Sequence, residues 1–220
     1  MGLGMIRITL DQGSEEWLTW RRYGIGSSDA PIILNGIHFE RNRYDLWREK
    51  RGEQEPRVPT PFISMRMRRG QVLEEDVRNW YERLVGKIVK PVVGYHPTRE
   101  YLKASLDGFE PTSQTILEIK CPGRKDHESA LCGEVPCKYI PQLIHQCLVT
   151  GTNRVHYLSF NPVYPKSERY ALVRYRADPA EMNKLLMWEE VFWGCVLTGL
   201  PPHEEYFRTS PSTLDAQDSP

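Results

Sequence analysis

The sequence predicts a mixed α/β fold, a central sheet with helices packed against it. Three observations carry that prediction. A chain of 220 residues, 40% hydrophobic and 26% charged, has the composition of a soluble globular domain and enough length for one continuous core. The hydrophobic spacing is helical up to residue 85 and then alternates with period two through three successive segments. Beyond them a helix, two strands and a closing helix follow, an order that layers helices on a sheet.

The elements follow in order. Ser14 before Glu15 and Glu16 starts a helix bearing Trp17, Trp20 and Arg21, which stops near Gly24-Ile25-Gly26. Ser27, Ser28 and Asp29 supply capping chemistry for a second helix through Ile32–Leu34, and Arg43–Lys50 forms a third. Pro56, Pro59 and Pro61 make 52–62 a loop. From Arg69 to Val85, Val72, Leu73, Val77, Trp80, Tyr81, Leu84 and Val85 recur at helical spacing. Lys87–Tyr95, Tyr101–Leu106 and Thr115–Lys120 read as strands, with turn signals at His96-Pro97-Thr98 and Pro111-Thr112-Ser113. Tyr139–Val149 is helical, Val155–Phe160 and Tyr170–Tyr175 are strands, and Ala180 to about Leu200 is a long amphipathic helix. Residues 1–208 are expected to form one domain, with 209–220, small, polar and Pro-flanked, a mobile tail.

Lys+Arg and Asp+Glu balance at 29 each, but unevenly along the chain. Residues 41–70 hold nine basic side chains (Arg41, Arg43, Arg48, Lys50, Arg51, Arg57, Arg66, Arg68, Arg69) against four acidic ones, while 179–220 hold two basic against seven acidic. A basic stripe attracts a polyanion through its local field; a solvated helix face has the same composition. No apolar run approaches the ~20 residues that cross a bilayer, and the N-terminus lacks a signal-peptide layout, so a cytoplasmic protein with no membrane partner is expected. The five cysteines, an odd number without a CxxC, are expected as reduced and mostly buried thiols rather than metal ligands.

The chemistry concentrates in Ser105-Leu106-Asp107-Gly108 and Leu117-Glu118-Ile119-Lys120. Period-two alternation puts Glu118 and Lys120 on one face of an otherwise apolar strand, where charge is costly unless compensated. Asp107 at the end of the preceding strand and Glu118 would hold a divalent cation through hard oxygen ligands, and Lys120 would orient or deprotonate an attacking water. An exposed Glu–Lys pair on an edge strand is the alternative. Glu74, on the apolar face of its helix, is either a third carboxylate at that site or a first-turn capping acid. Gln142 either holds the lysine or a water, or is a surface amide. Arg21, the glycine turn and Ser28 form an anion cradle, or simply a capped helix corner. Together the two clusters suggest a phosphodiesterase.

Asp107…Glu118-Ile119-Lys120 resembles the PD-(D/E)xK nuclease motif. The ordered set Trp17, Arg21, Ile25, Ser28, Asp29, then Gly70 and Glu74, then Tyr139 and Gln142, resembles the YqaJ/phage lambda exonuclease branch from about residue 12 to 175. The resemblance implies a restriction-endonuclease-like core and a Mg²⁺-dependent, processive 5′→3′ exonuclease on linear double-stranded DNA. It also implies one or two ions per site with Mn²⁺ able to substitute, a trimeric ring, a single-strand annealing recombinase as partner, and a bacterial or phage-infected cytoplasm. Carried over, Asp107, Glu118 and the Ile119 carbonyl are metal contacts, with Glu74 joining directly or through water; Lys120 positions the water and Gln142 supports it. Arg21, Ser28 and Ser105 match the 5′-phosphate pocket.

Two positions depart from the pattern. Leu106 stands where the motif's name has Pro. Asp126 stands where the pocket's further Arg is expected, so Arg124 or Lys125 would have to replace it. A wedging Arg counts onto His38, with Arg41 and Arg43 nearby. A sequence- or structure-specific endonuclease, an iron–sulfur nuclease (no Cys precedes Asp107) and a non-catalytic DNA-end-binding module are the competing readings.

Overall fold

The structure, a computed structural model, describes residues 4–38, 41–56 and 61–207, with only the backbone for 61–69 and 71. The expected tail at 209–220, Arg57 and the side chains of Arg66, Arg68 and Arg69 lie outside the described residues.

Helices α1 (Glu15–Arg22), α2 (Ala30–Asn35), α3 (Arg43–Lys50) and α4 (Pro61–Val85) precede most of the sheet. Ser14 caps α1 by accepting from Trp17 N at 3.1 Å, and α3 opens with a reciprocal box between Asn42 and Asp45. Among them lie the short strands β1 (Ile6–Ile8), β2 (Ile25–Gly26), β3 (Ile37–His38) and β4 (Arg41–Asn42), none of which the sequence pattern indicates. Three residues or fewer are too short to show alternation.

The main strands are β5 (Lys90–His96), β6 (Arg99–Glu110), β7 (Thr115–Lys120), β8 (Arg154–Phe160) and β9 (Tyr170–Arg176). The sheet runs β1-β5-β6-β7-β8-β9, with β2 added to β6. Pairing is antiparallel except for β7 with β8 and β2 with β6. The parallel β7–β8 pair needs a crossover, supplied by α5 (Arg124–Leu131) and α6 (Ile140–Thr150). Helix α7 (Pro179–Thr198) closes the fold, capped by Asp178 and ended by Gly199 at φ +77°.

The sheet is covered on both sides. Val77 and Tyr81 of α4 pack on Leu117, Ile119, Leu158 and Phe160. On the other side α2, α3, α6 and α7 enclose Ile116, Leu102, Leu106 and Tyr157. Burial on both faces explains why β7 reads as an almost unbroken apolar run, and why its charged exceptions mark a site.

Several expectations change. Strand β6 continues past Asp107 to Glu110. Helix α5 was not expected: RKDHESAL has no apolar period and no side-chain cap, and its anchor is the buried His127, bonded to Ser159 Oγ (2.7 Å) and the Glu168 carbonyl (2.8 Å). The cysteines are free as expected, but two are buried (Cys147, Cys195) and two exposed (Cys132, Cys137).

Among the described residues of the basic stripe, four are satisfied from within the protein. Arg41 pairs with Glu49, Lys50 with Asp29, and Arg51 with Glu53. Arg43 is a correction: it is not available to DNA. It is 4% exposed, donates to the Ile33 and Leu34 carbonyls, pairs with Glu204 at 2.7 Å and stacks over Phe207. The acidic C-terminal region and the basic stripe thus partly neutralise one another.

Candidate active site

The β6–β7 ladder ends at the Gly108–Leu117 pair. Beyond it the strands part, and the Asp107 carboxylate takes the Ile119 N–H at 2.7 Å, filling the fork with a carboxyl group in place of a ladder bond. Glu118, 1% exposed, stands beside it on β7. Its Oε1 accepts from Lys120 Nζ (2.5 Å) and Gln142 Nε2 (2.6 Å), and its Oε2 from Gln146 Nε2 (2.6 Å). The two glutamines sit one turn apart on α6, so a single helix face grips both carboxylate oxygens.

From the other side, Arg78 Nη1 of α4 donates to Glu74 Oε1 (2.9 Å) and to the Asp107 carbonyl (2.6 Å). Glu74 therefore reaches the fork while held by an arginine. Among the described residues no three His, Cys, Asp or Glu side chains group as a metal cage. The groups that meet at the fork are the Asp107 and Glu118 carboxylates and the Ile119 backbone, with Glu74 held beside them by Arg78.

The electrostatics of the fork are those of carboxylates short of cations. Burial, then Glu118 and Glu74, hold the Asp107 carboxyl well above its usual range. Burial opposes the Lys120 charge, but Glu118 and Asp107 outweigh it and raise the ammonium's pKa. An all-oxygen set of this kind suits a hard divalent cation that keeps some of its waters. Asp107, Glu118 and the Ile119 carbonyl are the groups that fit it.

The second cluster meets at β6 as well. Trp17 Nε1 donates to Ser105 Oγ at 2.8 Å, Arg21 Nη2 donates to Ser28 Oγ at 2.7 Å, and the Arg21 guanidinium lies 4.5 Å from the Trp17 ring. Asp29 accepts from Gly26 N (2.9 Å) and from Lys50 Nζ (2.7 Å), bracing the turn. Ser105 and Asp107 lie two residues apart on β6, on either side of Leu106, beyond which the pairing with β5 shifts register. Two strand residues span about 7 Å, which is the separation of corner and fork along the strand.

His38 of β3, paired with Arg41 of β4, lies in the field of Lys120. Burial, then Lys138, Arg41 and Lys120, lower its pKa. Arg124 and Lys125 are exposed on α5, which packs on β8 and β9, and neither bonds to Arg21, Ser28 or Ser105. Asp126 pairs with Lys138 at 2.5 Å. The sequence reading missed Gln146 and Arg78. Their i,i+4 spacing from Gln142 and Glu74 was the available signal.

Known proteins are similar to this chain in sequence and in fold. The chain is 33% identical over 146 residues to the protein YqaJ of Bacillus subtilis strain 168. That match takes in 64% of this chain and 44% of the relative, so the chain spans less than half the relative's length. An alkaline exonuclease from Laribacter hongkongensis, also solved with dAMP, superposes with a TM-score of 0.72 at 24% identity, covering 85% of this chain and 94% of that one. A phage-related exonuclease from Haemophilus somnus 129PT gives 0.57 at 11%, covering 84% and 93%. The fold is therefore shared with these solved proteins. Residues 16–153, which carry both the fork and the corner, match the model of the YqaJ-like viral recombinase domain, and the chain belongs to that family.

Proposed function

We propose that this chain is a divalent-cation-dependent exonuclease that degrades one strand of linear double-stranded DNA from its 5′ end, leaving 3′ overhangs for phage-type recombination. One observation carries the reading: Asp107 of β6 and Glu118 and Lys120 of β7 converge in a fork, and Asp107 lies two residues, about 7 Å, along β6 from Ser105 of the Arg21–Ser28–Ser105 corner. The exonuclease names of the Laribacter and Haemophilus proteins, and the nucleoside monophosphate held by the former, agree with it.

Asp107, Glu118 and the Ile119 carbonyl would hold Mg²⁺, with Mn²⁺ as substitute and Glu74 reaching a second ion through water. When bound, the ion polarises the scissile phosphate and acidifies water. Lys120, held as an ammonium by the carboxylates, orients that water and acts as a proton donor. Gln142 keeps Glu118 in place. Water adds to phosphorus and the P–O3′ bond breaks, releasing a nucleoside 5′-monophosphate with a free 3′-OH. The shortened strand again ends in a 5′-phosphate. Arg21, Ser28 and Ser105 would grip each new terminal phosphate, which favours repeated cleavage. His38 and Arg41, on the hairpin near Lys120, would meet the duplex end.

A trimeric ring, an annealing recombinase as partner and a cytoplasmic site of action complete the reading. No described helix is long and apolar enough to cross a membrane.

The test is a gel assay with Mg²⁺ on linear DNA bearing a 5′-phosphate, linear DNA bearing a 5′-hydroxyl, and closed circular DNA. Loss of one strand of the phosphorylated linear DNA, with the circle intact, is expected. Cutting of the circle would make the protein an endonuclease, and binding without cutting an end-binding module.

A further inference from the structure

The anion corner stands at the wrong end of a helix. The C-terminus of α1 presents unsatisfied carbonyls and the negative end of the helix dipole, which repel a phosphate. Two buried lysines correct this. Lys103 of β6, 7% exposed, donates from Nζ to the Trp20 carbonyl at 2.5 Å and lies 4.9 Å from the Trp20 ring. Lys50 of α3, also 7% exposed, donates to the Arg21 carbonyl at 3.4 Å while paired with Asp29.

Among the described residues Lys103 has no carboxylate partner; its bonds run to a carbonyl and a ring face. The corner thus collects Arg21, Lys50 and Lys103, with the buried Asp29 paired to Lys50 and the buried Glu189 behind it paired to His145. An ammonium buried without a counter-ion is costly. Burial and then Lys50 bring its pKa down to about 8. The surroundings nevertheless make room for it. A Cβ on Gly24 would fall 2.7 Å from Lys103 Cδ and Cε and 2.6 Å from the Tyr101 carbonyl. The other titratable groups facing Lys103 are Glu100 on its own strand, Tyr95 opposite on β5, and His145 of α6, which bonds the Lys103 carbonyl and is backed by Glu189 of α7.

We propose that Lys103, with Lys50 behind it, is a specificity-determining charge for the 5′-phosphate. It neutralises the end of α1, holds the carbonyl next to Arg21, and leaves the corner with an excess of positive charge that a terminal phosphate dianion completes and a 5′-hydroxyl does not. The proposal rests on the reading of Arg21, Ser28 and Ser105 as the phosphate pocket.

The experiment compares dissociation constants for one short duplex with 5′-phosphate or 5′-hydroxyl ends, by fluorescence anisotropy in EDTA, at pH 7 and pH 9. Wild-type protein, Lys103→Met, Lys103→Arg and Arg21→Ala are measured. Wild type should prefer phosphate ends, and the preference should fall about tenfold in Lys103→Met. It should also fall in wild type as pH rises through the lysine's titration, and stay high at pH 9 in Lys103→Arg, whose charge is permanent. Wild-type preference retained by Lys103→Met overturns the proposal while leaving the pocket intact. Preference retained by Arg21→Ala overturns the pocket reading itself. Should Lys103→Met fail to fold, a wild-type preference equal at the two pH values, or an equal decline in Lys103→Arg, overturns it.

Discussion

The carboxylate fork and the anion corner share strand β6 two residues apart, and they are unbalanced in opposite directions. The fork gathers Asp107, Glu118 and Glu74 against Lys120 and Arg78. The corner gathers Arg21, Lys50 and Lys103 against Asp29. On the proposed reading each is completed by what the other lacks: a cation at the fork, a phosphate at the corner. A substrate of phosphates accompanied by divalent ions satisfies both at once, which is why the pair is more informative than either alone.

The sharpest way to break the comparison is Lys120→Ala. Removal of a proton-handling group at the fork should lower cleavage about 10²–10⁴-fold on every linear end, while the preference for 5′-phosphate in metal-free binding stays. Cleavage within tenfold of wild type would remove Lys120 from the chemistry.

Asp29→Asn tests the corner through its foundation. Breaking one half of a buried ion pair should cost about 3–5 kcal/mol, read from urea unfolding at pH 7. Burial alone would raise the Asp29 pKa, but Lys50 and then Arg21 outweigh it and bring it to about 2. A folded pKa below the unfolded value of about 3.9 means this stability is present above pH 4 and lost as pH falls toward 2. Asp29→Asn should therefore flatten that acid limb, and an unchanged acid limb would show that the pair contributes nothing there.

Gln146→Met separates support from ligation at the fork. It leaves Glu118 Oε2 without its donor, and loss of such an outer partner weakens metal affinity by about 10–100-fold. Electron paramagnetic resonance of added Mn²⁺ reads this without turnover, and unchanged affinity would assign the positioning to Gln142 and Lys120 alone. The smallest effect is expected at Arg124→Ala. An exposed cation away from the corner should at most reduce the salt slope of DNA binding by about one, with end preference untouched. A loss of that preference would return α5 to the pocket.

Much of the fold was legible locally. Thr115–Lys120 matches β7 residue for residue, because a strand buried on both faces must be apolar and its exceptions are conspicuous. Helix α1 announced itself through Ser14, and α3 lies at Arg43–Lys50 as expected, its Asn42–Asp45 box seen only in the structure. Helix α5 did not, since its one buried polar anchor, His127, is bound to Ser159 and Glu168 from two other segments. Asp107 was expected at a strand end. It lies inside β6, and what ends there is the ladder to β7.

By itself the sequence determined the types of the longer elements and singled out Asp107, Glu118 and Lys120, because periodicity and side-chain chemistry are properties of neighbours along the chain. Only the tertiary structure decided which charges remain available. Arg43 and Arg21 are both arginines near helix ends. One is sealed by Glu204, 161 residues away, and by the Ile33 and Leu34 carbonyls. The other is turned toward Ser28 over a tryptophan anchored to Ser105, 88 residues from it. Those partners are brought together by how the layers pack, and no local pattern records that.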